Sequence, residues 1–236
     1  MPATRFSDLV RGMRDLRIAT LPVLLMALVA GGIYTFVAVA NDVSENELQR
    51  FDSGLLLLFR QPGDVSAPIG PDWFAQTVVE ITTLGGYPVL VTLVTAIAGF
   101  LLVYRKFGPA IFMVAAIVSG TVVSHLLKIV YDRPRPDIVD HLVATHTASF
   151  PSGHATMSAV VYLTLATMIV RLVDDVAVRF YVILMAVLLT FMVGMSRIYL
   201  GVHWPSDVIA GWALGTAWAC LSWLAVTALR ALRARG

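Results

Sequence analysis

The fold is decided by residues 107–127, FGPAIFMVAAIVSGTVVSHLL, a stretch without a single Asp, Glu, Lys or Arg. About 20 apolar residues suffice to cross the ~30 Å hydrocarbon core of a bilayer as a helix, in which every backbone polar group is paired internally. Five further charge-free runs occupy residues 18–40, 81–104, 141–170, 180–196 and 208–229. The sequence therefore predicts an all-α, polytopic membrane protein with six transmembrane helices.

The composition of the whole chain agrees with this prediction and excludes other classes. The 236 residues are 58% hydrophobic and 14% charged, with a mean hydropathy of +0.81, whereas about a quarter of a soluble domain is charged. A net charge of +2 without a basic stripe speaks against a nucleic-acid partner. The single cysteine, Cys220, cannot form an intramolecular disulfide. No repeat or linker divides the chain, so we expect residues 1–236 to form a single domain with no obligate protein partner.

The first charge-free run, residues 18–40, has a secretory signal peptide as its alternative interpretation. It is longer than the apolar region of a typical signal peptide, and the sequence Asn41-Asp42-Val43-Ser44 does not resemble an Ala-x-Ala cleavage site. We therefore expect a retained transmembrane helix.

The basic residues are distributed unevenly between the two sides that six spans define. Eleven of the seventeen fall on the side of both termini: Arg5, Arg11, Arg14, Arg17, Arg105, Lys106, Arg171, Arg179, Arg230, Arg233 and Arg235. The positive-inside rule makes this side cytoplasmic, so both termini are expected in the cytoplasm. The absence of an organellar targeting signal favours the cytoplasmic (inner) membrane of a bacterium.

The longest connection, residues 41–80, falls on the outer side. It is acidic at its start and carries the apolar stretch Leu55–Phe59 close to Gly63 and Pro68. We expect an outer interfacial segment that covers the helix ends; a lid at the point where lipid enters is the alternative.

Three polar clusters interrupt this apolar chain and are candidates for function, because ionisable groups near a membrane are costly unless they reach water. They are residues 128–136 (KIVYDRPRP), 151–154 (PSGH) and 196–207 (SRIYLGVHWPSD). Taken singly, each has a plain structural interpretation, as an interfacial anchor, a helix start capped by Ser152 and a helix start at Pro205. Six spans place all three on the outer side, so they can converge.

Together the clusters supply the groups that phosphoryl transfer needs: positive charge around the phosphoryl oxygens, a nucleophile and an acid for the leaving oxygen. A histidine four residues before a carboxylate can be oriented as a nucleophile. The candidate cations are Lys128, Arg135 and Arg197, the candidate hydrogen-bond donors Ser152 and Gly153, and the candidate catalytic groups His154, His203 and Asp207. The convergence predicts a phosphate pocket at the outer membrane–water interface.

The three clusters resemble the signature of the type 2 phosphatidic acid phosphatase superfamily, which reads Lys-x6-Arg-Pro, Pro-Ser-Gly-His and Ser-Arg-x5-His-x3-Asp. All three parts are present in the right order and spacing, at Lys128 with Arg135-Pro136, at residues 151–154, and at Ser196-Arg197 with His203 and Asp207. Arg133 also precedes a proline but lies outside the family register.

The resemblance implies a mechanism. His203 would attack phosphorus and form a phosphohistidine, Asp207 would orient its ring, and His154 would protonate the leaving oxygen and then activate water. The resemblance also implies that no metal ion or other cofactor is needed. The phosphoryl oxygens would be held by Lys128, Arg135, Ser152, Gly153 and Arg197.

The function expected from this resemblance is a lipid phosphatase that cleaves a phosphomonoester or pyrophosphate from a membrane phospholipid or polyprenyl phosphate. Phosphatidic acid, phosphatidylglycerol phosphate and undecaprenyl pyrophosphate are candidate substrates, which would place the enzyme in phospholipid metabolism or in the cell envelope. A lipid phosphotransferase and a non-catalytic lipid-binding or lipid-translocating protein are the alternatives. The related vanadate-dependent haloperoxidases are soluble, so the hydropathy argues against them. We expect no catalytic role for His125, His141 or His146.

Overall fold

The computed structural model describes residues 6–145 and 147–233, and the side chains from residue 21 onward within them. Arg5, His146 and Arg235 thus lie outside the described residues, as do the side chains of Arg11, Arg14 and Arg17. The elements are α1 (Phe6–Ser44), α2 (Gln49–Leu57), β1 (Arg60–Gln61), β2 (Asp64–Pro68), α3 (Asp72–Thr83), α4 (Tyr87–Val103), α5 (Phe107–Tyr131), α6 (Gly153–Val170), α7 (Val176–Tyr199) and α8 (Pro205–Arg233).

Five helices are long and apolar enough to cross a membrane: α1 over Leu21–Ser44, α5, α6, α7 and α8. The helices α3 and α4 meet at a bend of 43° and pass the same test as a pair. The described residues therefore contain five candidate spans, or six when the bent pair counts as one. The predicted class, an all-α polytopic membrane protein, is confirmed.

The bend between α3 and α4 breaks the span predicted at residues 81–104. Gly85, Gly86 and Pro88 lie at the break, where glycine weakens a helix and proline removes one of its hydrogen bonds. The carbonyl of Leu84 accepts a hydrogen bond from the Tyr162 hydroxyl of α6 at 2.7 Å. This hydrogen bond attaches the break to α6, which packs against α5, α7 and α8.

The other helices also differ from the charge-free runs, and two of them show the reason. The charge-free run at residues 141–170 becomes helical only at Gly153, because Ser152 caps the helix and the preceding residues form an irregular connection. Helix α7 is longer than the run at residues 180–196 because it includes Arg179 and Arg197 near its two ends. Counting uncharged residues alone therefore underestimates this helix.

Helix α8 packs against both α1 and α6, and α6 packs in turn against α5 and α7. Glycines bring α6 and α8 into close contact, as small residues do between membrane helices. A Cβ atom at Gly215 would lie 2.6 Å from the Cβ of Ala159, and one at Gly211 would lie 2.9 Å from the Ser152 carbonyl oxygen. The first turns of the two helices are consequently neighbours.

The predicted connection at residues 41–80 begins later than expected, because α1 continues to Ser44; its remainder forms α2, a two-stranded antiparallel hairpin and the first part of α3. The hairpin was not predicted, although Pro62-Gly63 is a turn signal and Gly63 has a φ of 87°. The guanidinium of buried Arg60 donates to the Tyr199 carbonyl oxygen at 2.9 Å, and the side chain of Leu56 is fully buried. The segment therefore packs over the ends of α7 and α8 that carry the polar clusters.

Candidate active site

The three polar clusters meet at one end of the bundle. Lys128 lies in the last turn of α5, His154 in the first turn of α6, Arg197 in the last turn of α7 and Asp207 in the first turn of α8. The connection from α7 to α8 supplies His203. The structure brings all eight predicted site residues to this end, while their individual chemical roles remain predictions.

His203 is the centre of this arrangement. Its side chain is only 2% exposed, with Nδ1 3.3 Å from Asp207 Oδ2 and Nε2 3.3 Å from Arg135 Nη1. Burial holds the pKa of His203 well below its ordinary value of 6.5, and the positive charges of Arg135, Arg197 and Lys128 lower it further. The ring is therefore neutral at pH 7. A proton on Nδ1 is donated to Asp207, which leaves the Nε2 lone pair directed at the cations.

Asp207 is fully buried, and both of its carboxylate oxygens are occupied. Oδ1 accepts from Arg133 Nη1 at 2.6 Å. Oδ2 faces His203 and accepts from the Trp204 backbone N–H at 2.9 Å and from the Ser149 hydroxyl. Asp207 was predicted from the sequence, whereas Ser149 was missed and Arg133 was set aside.

The start of α6 forms the second wall of the site. The Ser152 hydroxyl oxygen accepts from the Ala155 backbone N–H at 3.5 Å, and the Ser152 backbone N–H donates to the Asp207 carbonyl oxygen at 2.9 Å. The ammonium of Lys128 donates to the Ala148 carbonyl oxygen at 2.7 Å. A Cβ atom at Gly153 would lie 3.4 Å from Lys128 Cε. A helix N-terminus with a cation across it is a favourable place for a bound anion.

The guanidinium of Arg197 is also buried, with an exposed fraction of 4%. Its Nη1 donates to the Thr82 hydroxyl of α3 at 3.0 Å, whereas its Nε has no hydrogen-bond partner within the described residues. A buried donor without a partner is costly, and an anion in the site would satisfy it. Thr82 was missed because no motif surrounds it.

The connection from α5 to α6 positions Arg135. Its Nε donates to the Thr147 carbonyl oxygen at 2.8 Å and its Nη1 to the Val202 carbonyl oxygen at 2.5 Å. Carbonyl oxygens of two separate connections, α5–α6 and α7–α8, therefore hold the guanidinium next to His203 Nε2.

Two other histidines were predicted to have no catalytic role. His125 is exposed on α5, and Nε2 of His141 lies 2.7 Å from the Pro136 carbonyl oxygen. Within residues 6–145 and 147–233, no three His, Cys, Asp or Glu side chains are grouped so that they could hold a metal ion.

An apolar groove of about 470 Å³ lies between α4, α5 and α6. Val91, Val118 and Val122 line it and are at least half exposed on the outside of the bundle. Tyr87 lines the end next to Gly86, where a Cβ atom would lie 3.8 Å from His154 Nε2. The Tyr87 end of the groove therefore lies near the histidine at the start of α6.

Comparison with known families and proteins identifies similar sequences. The family model for the PAP2 superfamily matches residues 109–231. Phosphatidylglycerophosphatase B from Bacillus subtilis is 30% identical over 184 residues, which cover 76% of this chain and 85% of that protein. Undecaprenyl-diphosphatase from Sulfolobus acidocaldarius is 37% identical over 68 residues, or 29% of each chain.

Among solved structures, the crystal structure of a transmembrane PAP2 type phosphatidylglycerolphosphate phosphatase from Bacillus subtilis is similar, with a TM-score of 0.70. It is 29% identical, and the match covers 85% of this chain and 93% of that one. All of these relatives are named phosphatases, so the prediction of a hydrolase acting on phosphate groups of lipids is confirmed. With a family match over more than half of its length, this chain belongs to the PAP2 superfamily.

Proposed function

We propose that this lipid phosphatase hydrolyses a phosphomonoester or diphosphate of a membrane lipid through a phosphohistidine on His203. The observation that carries the proposal is the buried imidazole of His203, held between Asp207 and Arg135; its burial lowers its pKa. The proposed location of the site is the outer face of the cytoplasmic membrane of a bacterium. The unequal distribution of basic residues supports this orientation.

The first step transfers the phosphoryl group to the protein. The Nε2 lone pair of His203 attacks phosphorus, and the bond between phosphorus and the lipid oxygen breaks. His154 gives a proton to that oxygen, so the lipid leaves as a neutral alcohol or as the shorter phosphate. The imidazole gains positive charge as the new bond forms, and the Asp207 carboxylate at Nδ1 stabilises this charge.

The second step returns the protein to its starting state. His154, now without its proton, takes a proton from water, and the hydroxyl oxygen attacks phosphorus. The bond between Nε2 and phosphorus breaks, inorganic phosphate leaves, and His203 is again neutral. The three phosphoryl oxygens are held in both steps by Lys128, Arg135, Arg197, Ser152 and the Gly153 backbone N–H.

The groove between α4, α5 and α6 provides a place for the apolar part of the substrate. A chain lying in it would be in contact with the bilayer along one side and would end near His154. In this proposal, residues 1–236 form a single domain. The groove lies on its lipid-facing side, and residues 41–80 form an outer interfacial segment over the site.

Phosphatidylglycerophosphate is the first substrate to test, because the relative that covers 76% of this chain is named phosphatidylglycerophosphatase B. Undecaprenyl diphosphate is the second, because a shorter match of 68 residues leads to a protein named undecaprenyl-diphosphatase. Phosphatidic acid completes the comparison as a lipid in which the phosphate is attached directly to diacylglycerol.

The direct test measures phosphate release from these three lipids by detergent-solubilised protein in the presence of EDTA. We expect turnover with at least one lipid and no loss of rate in EDTA, since the site uses protein cations in place of a metal ion. Loss of rate in EDTA that Mg²⁺ restores would contradict metal independence. No release from any lipid would favour the non-catalytic lipid-binding alternative, and a phosphorylated second lipid among the products would favour the phosphotransferase.

Replacing Thr82 by valine is expected to lower kcat/KM about tenfold. The change removes the hydroxyl that positions Arg197 while keeping the side-chain shape, and a hydrogen bond to a charged group contributes about 1.5–3 kcal/mol. Thr82→Ser is the matched control and should retain most of the activity. Equal rates for the valine and serine variants would show that Arg197 needs no partner from α3.

A further inference from the structure

We infer that Asp52 and Arg133 are positioning residues for the catalytic carboxylate Asp207, so that the segment at residues 41–80 completes the active site. The inference rests on the proposed function, because it concerns the group that orients the nucleophile. Neither residue belongs to the three-part signature, and Arg133 lies outside the family register.

The first observation is a chain of ion pairs that leads from α2 to Asp207. Nη2 of Arg133 lies 2.8 Å from Asp52 Oδ2, and Nη1 lies 2.6 Å from Asp207 Oδ1. Both carboxylates are fully buried, and the guanidinium between them is 15% exposed. One planar cation thus binds two carboxylates at once, in the geometry to which arginine is suited.

The second observation is that Asp52 also binds the first turn of α8 directly. Its Oδ1 accepts from the Ser206 backbone N–H at 2.8 Å, and its Oδ2 accepts from the Ser206 hydroxyl at 2.6 Å. The hydroxyl oxygen in turn accepts from Arg133 Nη1 at 2.8 Å. Asp52 therefore serves as an acidic partner for a helix N-terminus that belongs to another part of the chain, and it fixes the residue next to Asp207.

The third observation is the division of the Asp207 oxygens. Arg133 binds Oδ1, while Oδ2 remains on the side of His203 Nδ1. If Asp52 were neutral, the whole charge of the Arg133 guanidinium would act on Asp207 alone. The carboxylate would then be a weaker partner for the positive charge that develops on His203 during attack. Asp52 thus holds both the position and the effective charge of Asp207.

Buried charges need such compensation, since a buried carboxylate that loses its partner is strongly destabilised. The series of contacts from Asp52 to His203 contains two carboxylates, those of Asp52 and Asp207, and one guanidinium, that of Arg133. It ends at the imidazole of His203. For this reason Asp52 is tested by an isosteric change that removes its charge, and Arg133 by a double-mutant cycle with Asp52.

The experiment compares wild type, Asp52→Asn and Asp64→Asn. Asp64 is an exposed aspartate on the hairpin of the same segment, so its replacement is the matched control. We expect the Asp52→Asn variant to lower kcat at least tenfold, with KM within about twofold of wild type. In a single turnover with excess lipid, the rate constant for phosphoenzyme formation should fall by a similar factor. The Asp64→Asn variant should match wild type in each measurement.

The partner is identified by a double-mutant cycle with Arg133→Gln. If Asp52 acts through the guanidinium, Asp52→Asn should cost less than threefold in the Arg133→Gln background, against at least tenfold in wild type. Equal costs in the two backgrounds would overturn the role of Arg133 in the pair. Should Asp52→Asn fail to fold, Ser206→Ala provides a milder test of the same contacts, with an expected fall in kcat of about fivefold.

Several outcomes overturn the inference. A wild-type kcat in Asp52→Asn does so, as does a loss confined to KM, and so does a smaller phosphorylated fraction with an unchanged rate constant. Failure of the proposed function is distinguished by the wild type itself: it would release no phosphate from any lipid, whereas failure of the positioning pair leaves wild type active and the Asp52→Asn variant equal to it.

Discussion

Replacing His203 with alanine is expected to lower kcat at least 10⁴-fold, on the order of the loss seen when a covalent nucleophile is removed from an enzyme. The remaining cations still bind a phosphate but offer no atom for it to bond to. The measurement is phosphate release together with labelling by a lipid whose terminal phosphate is radioactive, quenched in alkaline detergent. Wild type should carry label that is lost in acid and kept in alkali, as a phosphorus–nitrogen bond requires, and the variant should carry none.

The matched control is His125→Ala, which removes an exposed imidazole of α5. It should release phosphate at the wild-type rate. Turnover by His203→Ala within tenfold of wild type would contradict the phosphohistidine mechanism. Tight lipid binding by wild type and by His203→Ala, without turnover in either, would point to the lipid-binding alternative.

The second large effect is expected from His154→Ala, and its size should depend on the leaving group. A lipid alkoxide needs a proton to leave, so we expect phosphate release from a lipid monoester to fall about 10²- to 10⁴-fold. p-Nitrophenolate leaves without a proton. With p-nitrophenyl phosphate, the first step should be spared and the second should be slow, because the base that activates water is missing.

The diagnostic measurement is therefore a rapid-mixing experiment with p-nitrophenyl phosphate. The His154→Ala variant should release a burst of p-nitrophenol close to one equivalent per protein, followed by slow turnover, and phosphoenzyme should accumulate. His125→Ala serves again as the control and should show wild-type kinetics. The same fold loss with both substrates and no burst would show that His154 shapes the pocket without transferring protons.

The features of this protein that depend on hydropathy and on fixed spacing were predictable from the sequence. Long apolar runs have few stable alternatives to a membrane helix, and the spacing from Lys128 to Arg135 or from His203 to Asp207 is local. The break between α3 and α4 was missed although Gly85, Gly86 and Pro88 signal it. The length of α7 was underestimated because buried Arg197 interrupts the uncharged run.

The parts of the site that were missed are single polar residues distant in the sequence from the groups they contact. Asp52 contacts Ser206 and Arg133 only because residues 41–80 pack on α8. Thr82 contacts Arg197 across the interface of α3 and α7. Neither contact leaves a periodic or spaced pattern in one sequence, since each depends on tertiary packing.

The close contact between α6 and α8 fixes His154 and His203 relative to each other. The first turns of these helices share a backbone hydrogen bond from Ser152 to Asp207, and no side chain separates the helices at Gly211. The groove, in contrast, is bounded on one side by α4 and α5, nearer the edge of the bundle. We therefore expect changes in bilayer thickness or lateral pressure to change the width of the groove before they change the distance between His154 and His203. The bilayer would then influence which lipids enter the groove without altering the geometry of the site.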